Sequence, residues 1–334
     1  MRRALLVGID YYGGGPRDLR GCVADATAMA ELLGRHSDGS RNWETKLVVG
    51  TPASAPVTRD RLRGLIGELF ANARGIDLLF FFAGHGTQTG WGAELVTQDA
   101  SVNSMGVSMN DLLTLANASP ASSVTLILDC CFSGDLGNAP GLQSDAVAES
   151  FRLGRALLSE DVTIMAASRA TEPSQEELGH GAFTRMLLDG LEGGASDHRG
   201  NITALSLYGH VSATFGSWRQ RPLLKANLSE PVVLRVGPPW LDPELLRDLP
   251  THFPTADYRL QLTPAHEGDG RPLPPSDPGT PEQQLFDYLG GLRNANLVAT
   301  DQGKAHYWVA MESGYVYLTP LGRYFWGLAK KELL

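Results

Sequence analysis

The sequence contains 334 residues, a length that corresponds to about two domains. Hydrophobic residues make up 43% and charged residues 19%, which excludes a mainly disordered, collagenous or coiled-coil chain. The formal charge of -9 at pH 7 disfavours nucleic acid or an anionic membrane as the main partner and favours basic ligands.

The cysteine content and the apolar runs predict a reduced, soluble, cytoplasmic protein. Three cysteines are an odd number, and Cys130 and Cys131 are adjacent, so a disulfide-stabilised fold is not expected. The apolar run at residues 4–9 is too short for a signal peptide, and the run at 76–83 is far below membrane-spanning length.

Short apolar runs alternate with helical patterns through the first half of the chain, which predicts an α/β fold with a sheet covered by helices. The predicted strands cover residues 3–9, 46–49, 77–82, 123–128 and 162–167. The predicted helices cover residues 25–33, 58–71, 108–117 and 181–191, with Thr58 as a cap. The strand at 77–82 is too continuously apolar to have a solvated face, and we expect it and the strand at 123–128 to be buried on both faces.

The C-terminal third predicts a linker followed by a small module. Residues 237–281 contain 11 of the chain's 20 prolines, a composition typical of an extended linker. The pattern after them predicts a helix at 282–292, strands at 297–300 and 305–311, a short segment at 315–318 and a helix at 321–333. We therefore expect a domain at 1–236, a linker at 237–281, and a winged-helix-like α+β module at 282–334.

Two of the buried strands end in loops that carry reactive side chains. His85 lies between Gly84 and Gly86 after one strand, and Cys131 follows the other strand. The carboxyl ends of parallel strands meet at one edge of a sheet, so both residues are expected at the same edge. Taken singly, each has a structural explanation, because a lone loop histidine is usually solvated and a lone cysteine is usually a small buried hydrophobe.

Together, the thiol and the imidazole predict nucleophilic catalysis. A cysteine is partly thiolate at neutral pH, and a neighbouring histidine can take its proton. The backbone N–H groups of Gly86 and Cys131 are the candidate oxyanion donors, since both belong to sharp loops beside the reacting atom. No carboxylate is evident beside His85, so the prediction is a Cys/His dyad.

Four motifs occur in series between residues 1 and 195. They are Leu19-Arg20-Gly21-Cys22-Val23-Ala24-Asp25-Ala26, Gly84-His85-Gly86, Asp129-Cys130-Cys131-Phe132-Ser133-Gly134, and Ala166-Ala167-Ser168 followed by Gly181-Ala182-Phe183-Thr184. This combination resembles the caspase-like peptidases, specifically the bacterial metacaspase-type branch. The resemblance implies the caspase-hemoglobinase fold, a mostly parallel six-stranded sheet flanked by helices, with Cys131 as nucleophile and His85 as general base. Cys130 stands where the family more often has Ser, and we expect it to be a packed core residue.

The resemblance also implies cleavage after Arg or Lys, the P1 residue of the substrate. Asp25 and Asp129 match the two family carboxylates of the S1 pocket, and Cys22 matches a neutral wall residue. Two carboxylates would hold a guanidinium by charge-assisted hydrogen bonds and repel an acidic P1 side chain. The structural alternatives are a helix N-cap for Asp25 and a strand-end role for Asp129.

Further family features bear on activation. Residues 135–161 correspond to the family's intersubunit loop, where Arg152 and Arg155 would suit self-cleavage. Metacaspases often need calcium, but the sequence has neither EF-hand spacing nor an evident acidic cluster, so no cofactor is predicted.

The prediction is thus a cysteine endopeptidase acting on proteins with a basic P1 residue. The C-terminal module is about neutral, which favours a regulatory protein over nucleic acid as its partner. Resemblance alone implies a regulated bacterial effector in cell death or antiphage defence. The alternatives are a catalytically silent scaffold and a regulator whose C-terminal module binds nucleic acid.

Overall fold

The computed structural model describes residues 1–13, 18–89, 92–101, 104–131, 158–167, 181–214, 222–267 and 279–334, with the backbone alone at Gln88 and Cys131. The chain divides into two compact units. The first consists of Met1–Ser196 and Asn201–Pro238, and the second of Asp197–Gly200 and Pro239–Leu334.

The first unit contains the predicted α/β sheet. The strands of this unit are β1 (Arg2–Ile9), β2 (Glu44–Gly50), β3 (Asp77–Thr89), β4 (Gly92–Ser101), β5 (Ser104–Ser108), β6 (Ser123–Cys131), β7 (Val162–Ala166), β8 (Asn201–Thr203), β9 (Leu223–Asn227) and β10 (Val233–Val236). Strands β8 and β10 pair with each other in a separate antiparallel sheet. The helices of this unit are α1 (Cys22–Gly34), α2 (Arg59–Phe70), α3 (Met109–Ala118), α4 (Ala182–Asp189) and α5 (Ala204–Thr214). A π-helical turn, Gly190–Gly194, follows α4.

Six strands form the main sheet in the order β2-β1-β3-β6-β7-β9. The first five are parallel, and β9 pairs with β7 in the antiparallel sense. Beyond the parallel ladder, β3 continues into an antiparallel pairing with β4, which in turn pairs with β5. The predicted six-stranded, mostly parallel sheet is confirmed.

Each face of the sheet carries its own core, which explains the continuously apolar strands. Side chains alternate between faces along a strand, so Phe80 and Phe82 pack in one cluster while Phe81 packs in the other. The first cluster includes Leu62 of α2, and the second includes Met29 of α1. Both faces of β3 are therefore dry, as its sequence predicts.

The starts of the first two helices have different causes. Thr58 accepts a hydrogen bond from the N–H of Arg61 and caps α2, as predicted. Helix α1 begins at Cys22, three residues before the predicted start, because Asp10 accepts the N–H of Cys22 at 2.8 Å from the end of β1. Asp25 therefore lies inside the first turn of α1, and the N-cap alternative for it is wrong.

The second unit has a separate core of its own. Its elements are α6 (Pro243–Arg247), α7 (Leu249–His252), β11 (Arg259–Gln261), α8 (Pro264–Glu267), α9 (Pro281–Asn294), β12 (Val298–Thr300), α10 (His306–Met311), β13 (Tyr315–Leu318) and α11 (Pro320–Lys330). The strands form an antiparallel sheet in the order β11-β13-β12.

Two sequence predictions for this unit are corrected. The described part of the predicted linker, residues 237–267, is folded: five of its six leucines and Phe253 are buried, and Pro243 begins a helix, where its missing N–H has no cost. The predicted strand at 305–311 is α10, whose buried residues His306, Val309 and Ala310 have helical spacing. β12 and β13 are therefore joined through a helix and not by the hairpin of a winged helix.

Among the described residues, no helix combines the length and the hydrophobicity that a bilayer span requires.

Candidate active site

The parallel ladder between β3 and β6 brings the two predicted dyad positions side by side. The register pairs Ala83 with Asp129, Gly84 with Cys130 and His85 with Cys131. Paired strands lie about 4.8 Å apart. The backbones that carry the imidazole and the thiol are therefore direct neighbours at the carboxyl edge of the sheet.

His85 is 9% exposed and is held from a third segment of the chain. Its backbone N–H donates to the hydroxyl of Tyr12 at 2.8 Å. The two rings also contact each other, with centroids 4.8 Å apart and planes tilted by 49°. Sequence reasoning missed Tyr12, although the tyrosine pair after β1 was available as a signal.

Tyr12 and Gly84 fit together closely. A Cβ atom on Gly84 would lie 2.7 Å from the Tyr12 hydroxyl oxygen, so a side chain here would displace the phenol. Burial raises the pKa of Tyr12 well above its usual value, which itself lies above physiological pH, and the phenol is therefore neutral. The glycine before His85 is thus explained by the approach of Tyr12.

Gly86, the predicted oxyanion donor next to His85, lies where β3 leaves the parallel sheet. It is buried and pairs with Leu95 of β4 in the antiparallel part of β3. Gly86 is thus the backbone neighbour of His85, and Cys131 is itself the second predicted dyad position. Their role as oxyanion donors stays a prediction.

The two predicted S1 carboxylates converge on the segment that begins α4. Asp25 and Asp129 are 1% and 4% exposed. Asp25 Oδ2 accepts the N–H of Gly181 at 3.1 Å, and Asp129 Oδ2 accepts the hydroxyl of Thr184 at 2.6 Å. A Cβ atom built on Gly181 would lie 2.8 Å from Asp129 Oδ2 and 3.2 Å from Asp25 Oδ2.

These bonds give both carboxylates a structural task. Asp129 Oδ2 also accepts the backbone N–H of Thr184 at 3.3 Å, so it satisfies a donor in the first turn of α4. Thr184 is fully buried. The sequence pointed to Asp25 and Asp129, but the supporting Thr184 was noticed only as part of a motif.

The remaining cysteines lie close to this region. Cys130 is 1% exposed and belongs to the hydrophobic core, as expected for a packed residue. Cys22 is half-buried at the first position of α1, where its N–H donates to Asp10. A Cβ atom on Gly8 would lie 2.2 Å from the Cys22 carbonyl oxygen, so the start of α1 packs directly on β1.

Several other predictions concern residues outside the described ranges. Ser133, Arg152, Arg155 and Ser168 are among them. Within the described ranges, no group of three or more His, Cys, Asp and Glu side chains is arranged to hold a metal ion.

Comparison with known proteins identifies the family. Residues 1–233 match the family described as "Caspase domain". Metacaspase-1 of Ajellomyces capsulatus is 31% identical over 159 residues, which cover 43% of this chain and 43% of that protein. Metacaspase-1B of Aspergillus fumigatus is 31% identical over 158 residues, which cover 43% of this chain and 38% of that protein. The chain thus spans less than half the length of these curated relatives.

A solved structure agrees on the fold alone. The crystal structure of a Geobacter sulfurreducens protein matches with a TM-score of 0.50 and 18% identity, covering 71% of this chain and 97% of that one. With residues 1–233 matched, the chain belongs to the caspase-domain family of peptidases.

Proposed function

We propose that this protein is a cysteine endopeptidase that cleaves proteins after Arg or Lys. The observation that carries the proposal is the register of β3 and β6, which pairs His85 with Cys131 in a chain of the caspase-domain family. No other pair of described strand ends combines an imidazole position with a cysteine position in this way.

The chemistry follows from the two groups. The imidazole of His85 takes the thiol proton, and the thiolate of Cys131 attacks the scissile carbonyl carbon. The N–H groups of Gly86 and Cys131 stabilise the oxyanion. The amine product leaves with the proton from the imidazolium, and a water molecule, deprotonated by His85, then hydrolyses the thioester and restores the thiol.

Specificity for a basic P1 side chain is supported by charge. Asp25 and Asp129 converge beside Gly181 with little exposure to water, where a guanidinium gains most from charge-assisted hydrogen bonds. Asp129 lies two residues before Cys131 on the same strand, so the pocket and the nucleophile share the end of β6. The net charge of -9 also favours the approach of basic substrates.

The test is a set of fluorogenic peptides that differ only at P1, assayed with and without calcium. We expect cleavage of Arg and Lys peptides and none of the Asp peptide. Cys131→Ala should abolish cleavage, while Cys130→Ser, a matched change one residue away, should retain much of it. The reverse ranking would assign the nucleophile to Cys130 instead of Cys131. Equal cleavage of Arg and Asp peptides would refute the acidic pocket.

We propose a cytoplasmic, regulated bacterial effector in cell death or antiphage defence, with a regulatory protein bound by the second unit. The exposed side chains of Tyr307 and Trp308 on α10 support a protein partner, because such residues are enriched at interfaces. The intact mass of the wild type and of Cys131→Ala will show whether cleavage after Arg152 or Arg155 depends on the enzyme itself.

A further inference from the structure

The segment after β1 is fixed beside the dyad by a set of hydrogen bonds. Tyr12 donates its backbone N–H to Asp18 Oδ1 at 2.8 Å. Asp10, two residues earlier, accepts the N–H of Cys22 and ties the same segment to α1. The phenol of Tyr12 is 1% exposed, so its position is set by packing as well as by hydrogen bonds.

His85 needs an anchor of this kind. It stands between two glycines of β3, which supply no side chain to restrain the imidazole. A buried backbone N–H also needs an acceptor, and for His85 that acceptor is the Tyr12 hydroxyl at 2.8 Å. The Tyr12 ring bounds the imidazole, with a centroid separation of 4.8 Å.

We propose that Tyr12 is a positioning residue for the general base. Its hydroxyl fixes the backbone of His85, and its ring restricts the imidazole to orientations that reach position 131. The assignment rests on the proposed peptidase function. The phenol is a neutral acceptor near physiological pH, because the ordinary pKa of tyrosine already lies above that pH and burial raises the pKa of Tyr12 further.

The experiment compares Tyr12→Phe with Tyr11→Phe in the full chain. Tyr12→Phe keeps the aromatic ring and removes the hydroxyl that accepts from His85. Tyr11→Phe is the matched control, because it removes the same hydroxyl from a partly exposed tyrosine one residue away. We expect kcat to fall about 10-fold to 100-fold in Tyr12→Phe, the order that a misplacement of about 1 Å costs a catalytic group. KM should stay within about twofold, and Tyr11→Phe should match the wild type.

Two controls separate positioning from loss of folded protein. The concentration of active enzyme is titrated with a peptidyl chloromethyl ketone, whose chloride is displaced by the Cys131 thiolate to leave a stable thioether, so that kcat refers to folded sites only. The rate at which iodoacetamide alkylates Cys131, mapped by peptide mass, reports the thiol–imidazole pair without a substrate. It should fall in Tyr12→Phe toward the rate in His85→Ala.

A double-mutant cycle tests the contact itself. The methyl group of Gly84→Ala would meet the Tyr12 hydroxyl at 2.7 Å, and the ring of Phe82 at 3.0 Å. In the Tyr12→Phe background the first clash disappears. Gly84→Ala should therefore reduce kcat by a smaller factor in that background than in the wild type. Equal factors would contradict the contact.

The outcomes distinguish this inference from the proposed function. An active wild type together with an unchanged kcat and alkylation rate in Tyr12→Phe overturns the role of Tyr12 and leaves the peptidase standing. A wild type that cleaves no peptide, and whose Cys131 alkylation is the same in His85→Ala, overturns both. If cleavage is absent but alkylation of Cys131 depends on His85, the alkylation rate in Tyr12→Phe tests the role of Tyr12. A rate that falls toward that of His85→Ala supports the role, and a wild-type rate overturns it.

Discussion

Asp129 supports α4 and is also proposed to bind the substrate, and this affects how its role can be tested. Its Oδ2 atom accepts both the hydroxyl and the N–H of Thr184, so it supports α4. Its charge, beside that of Asp25, is proposed to bind the P1 side chain. Replacement by alanine would remove the acceptor and leave the buried Thr184 donors unsatisfied, at a cost of about 1–3 kcal/mol.

Asp129→Asn separates the two tasks, because the amide oxygen can still accept from Thr184 while the charge is lost. We expect kcat/KM for an Arg peptide to fall at least about tenfold, which corresponds to about 1.4 kcal/mol. The matched peptide with neutral citrulline at P1 should lose much less. Asp60→Asn, on the exposed start of α2, is the control and should leave the Arg-to-citrulline ratio unchanged. A wild-type ratio in Asp129→Asn would show that its charge does not select the substrate.

The residues that hold the site were hard to predict from the sequence because their partners are distant. The bond from His85 to Tyr12 spans 73 positions, and the bond from Thr184 to Asp129 spans 55. The candidate dyad residues stand out in the sequence, since Gly-His-Gly and the cysteine pair each come directly after a mostly apolar run. Local pattern indicates the candidate residues, but not the distant side chains that contact them.

The sequence predicts the bounds of a helix or strand best where the element buries an unbroken series of apolar side chains. The strands β1 and β6 and the helix α2 are predicted within three residues of their observed bounds, because their apolar spacing is unambiguous. The strand β3 runs seven residues beyond its predicted end at residue 82, so Gly84, His85 and Gly86 lie in a strand and not in the predicted loop. The folded stretch at 243–262 was missed because proline was interpreted as a linker signal. The short helix α10 was missed because Tyr-Trp-Val has strand propensity and only tertiary packing selects the helix.

The contact of α1 with β1 fixes where the proposed pocket lies. A Cβ atom on Gly8 would lie 2.2 Å from the Cys22 carbonyl oxygen and 2.9 Å from the Cβ of Ala26. The first of these neighbours is backbone, so the helix itself must move to make room. Because α1 also carries Asp25, such a movement would displace one of the two carboxylates.

Gly8→Ala is therefore expected to lower both stability and activity. Overpacking of this kind costs about 1–3 kcal/mol, which urea unfolding will measure, and kcat/KM for Arg peptides should fall in parallel. Gly67→Ala is the matched control, because Gly67 is exposed on α2 with no neighbour within 4 Å. That change should stabilise the protein by up to about 1 kcal/mol. Wild-type stability in Gly8→Ala would contradict the close contact of α1 with β1.

At the scale of the whole molecule, the chain has hydrophobic cores in two separate units. The two faces of the main sheet supply two clusters, and the second unit supplies a third that shares no residue with them. A change in the third cluster is therefore expected to act first on the stability of the second unit. The histidine at the start of α10 offers a way to see this through pH.

His306 is 7% exposed, and its Nε2 atom has no hydrogen-bond partner among the described residues. Burial, followed by the positive charge of Arg293, lowers the pKa of His306 from 6.5 to about 4. Between these values the unfolded chain binds the proton and the folded chain does not. Stability is therefore fully present above pH 6.5 and is lost as the pH falls toward 4.

The loss from His306 alone reaches about 3 kcal/mol at pH 4, since each unit of pKa difference is worth about 1.4 kcal/mol. Urea unfolding followed by tryptophan fluorescence, at a series of pH values between 7.5 and 4, measures it. His306→Leu removes the titrating group, so the wild type should lose stability relative to this variant as the pH falls. A difference between the two proteins that stays constant with pH would show that His306 does not titrate differently in the folded and unfolded chains.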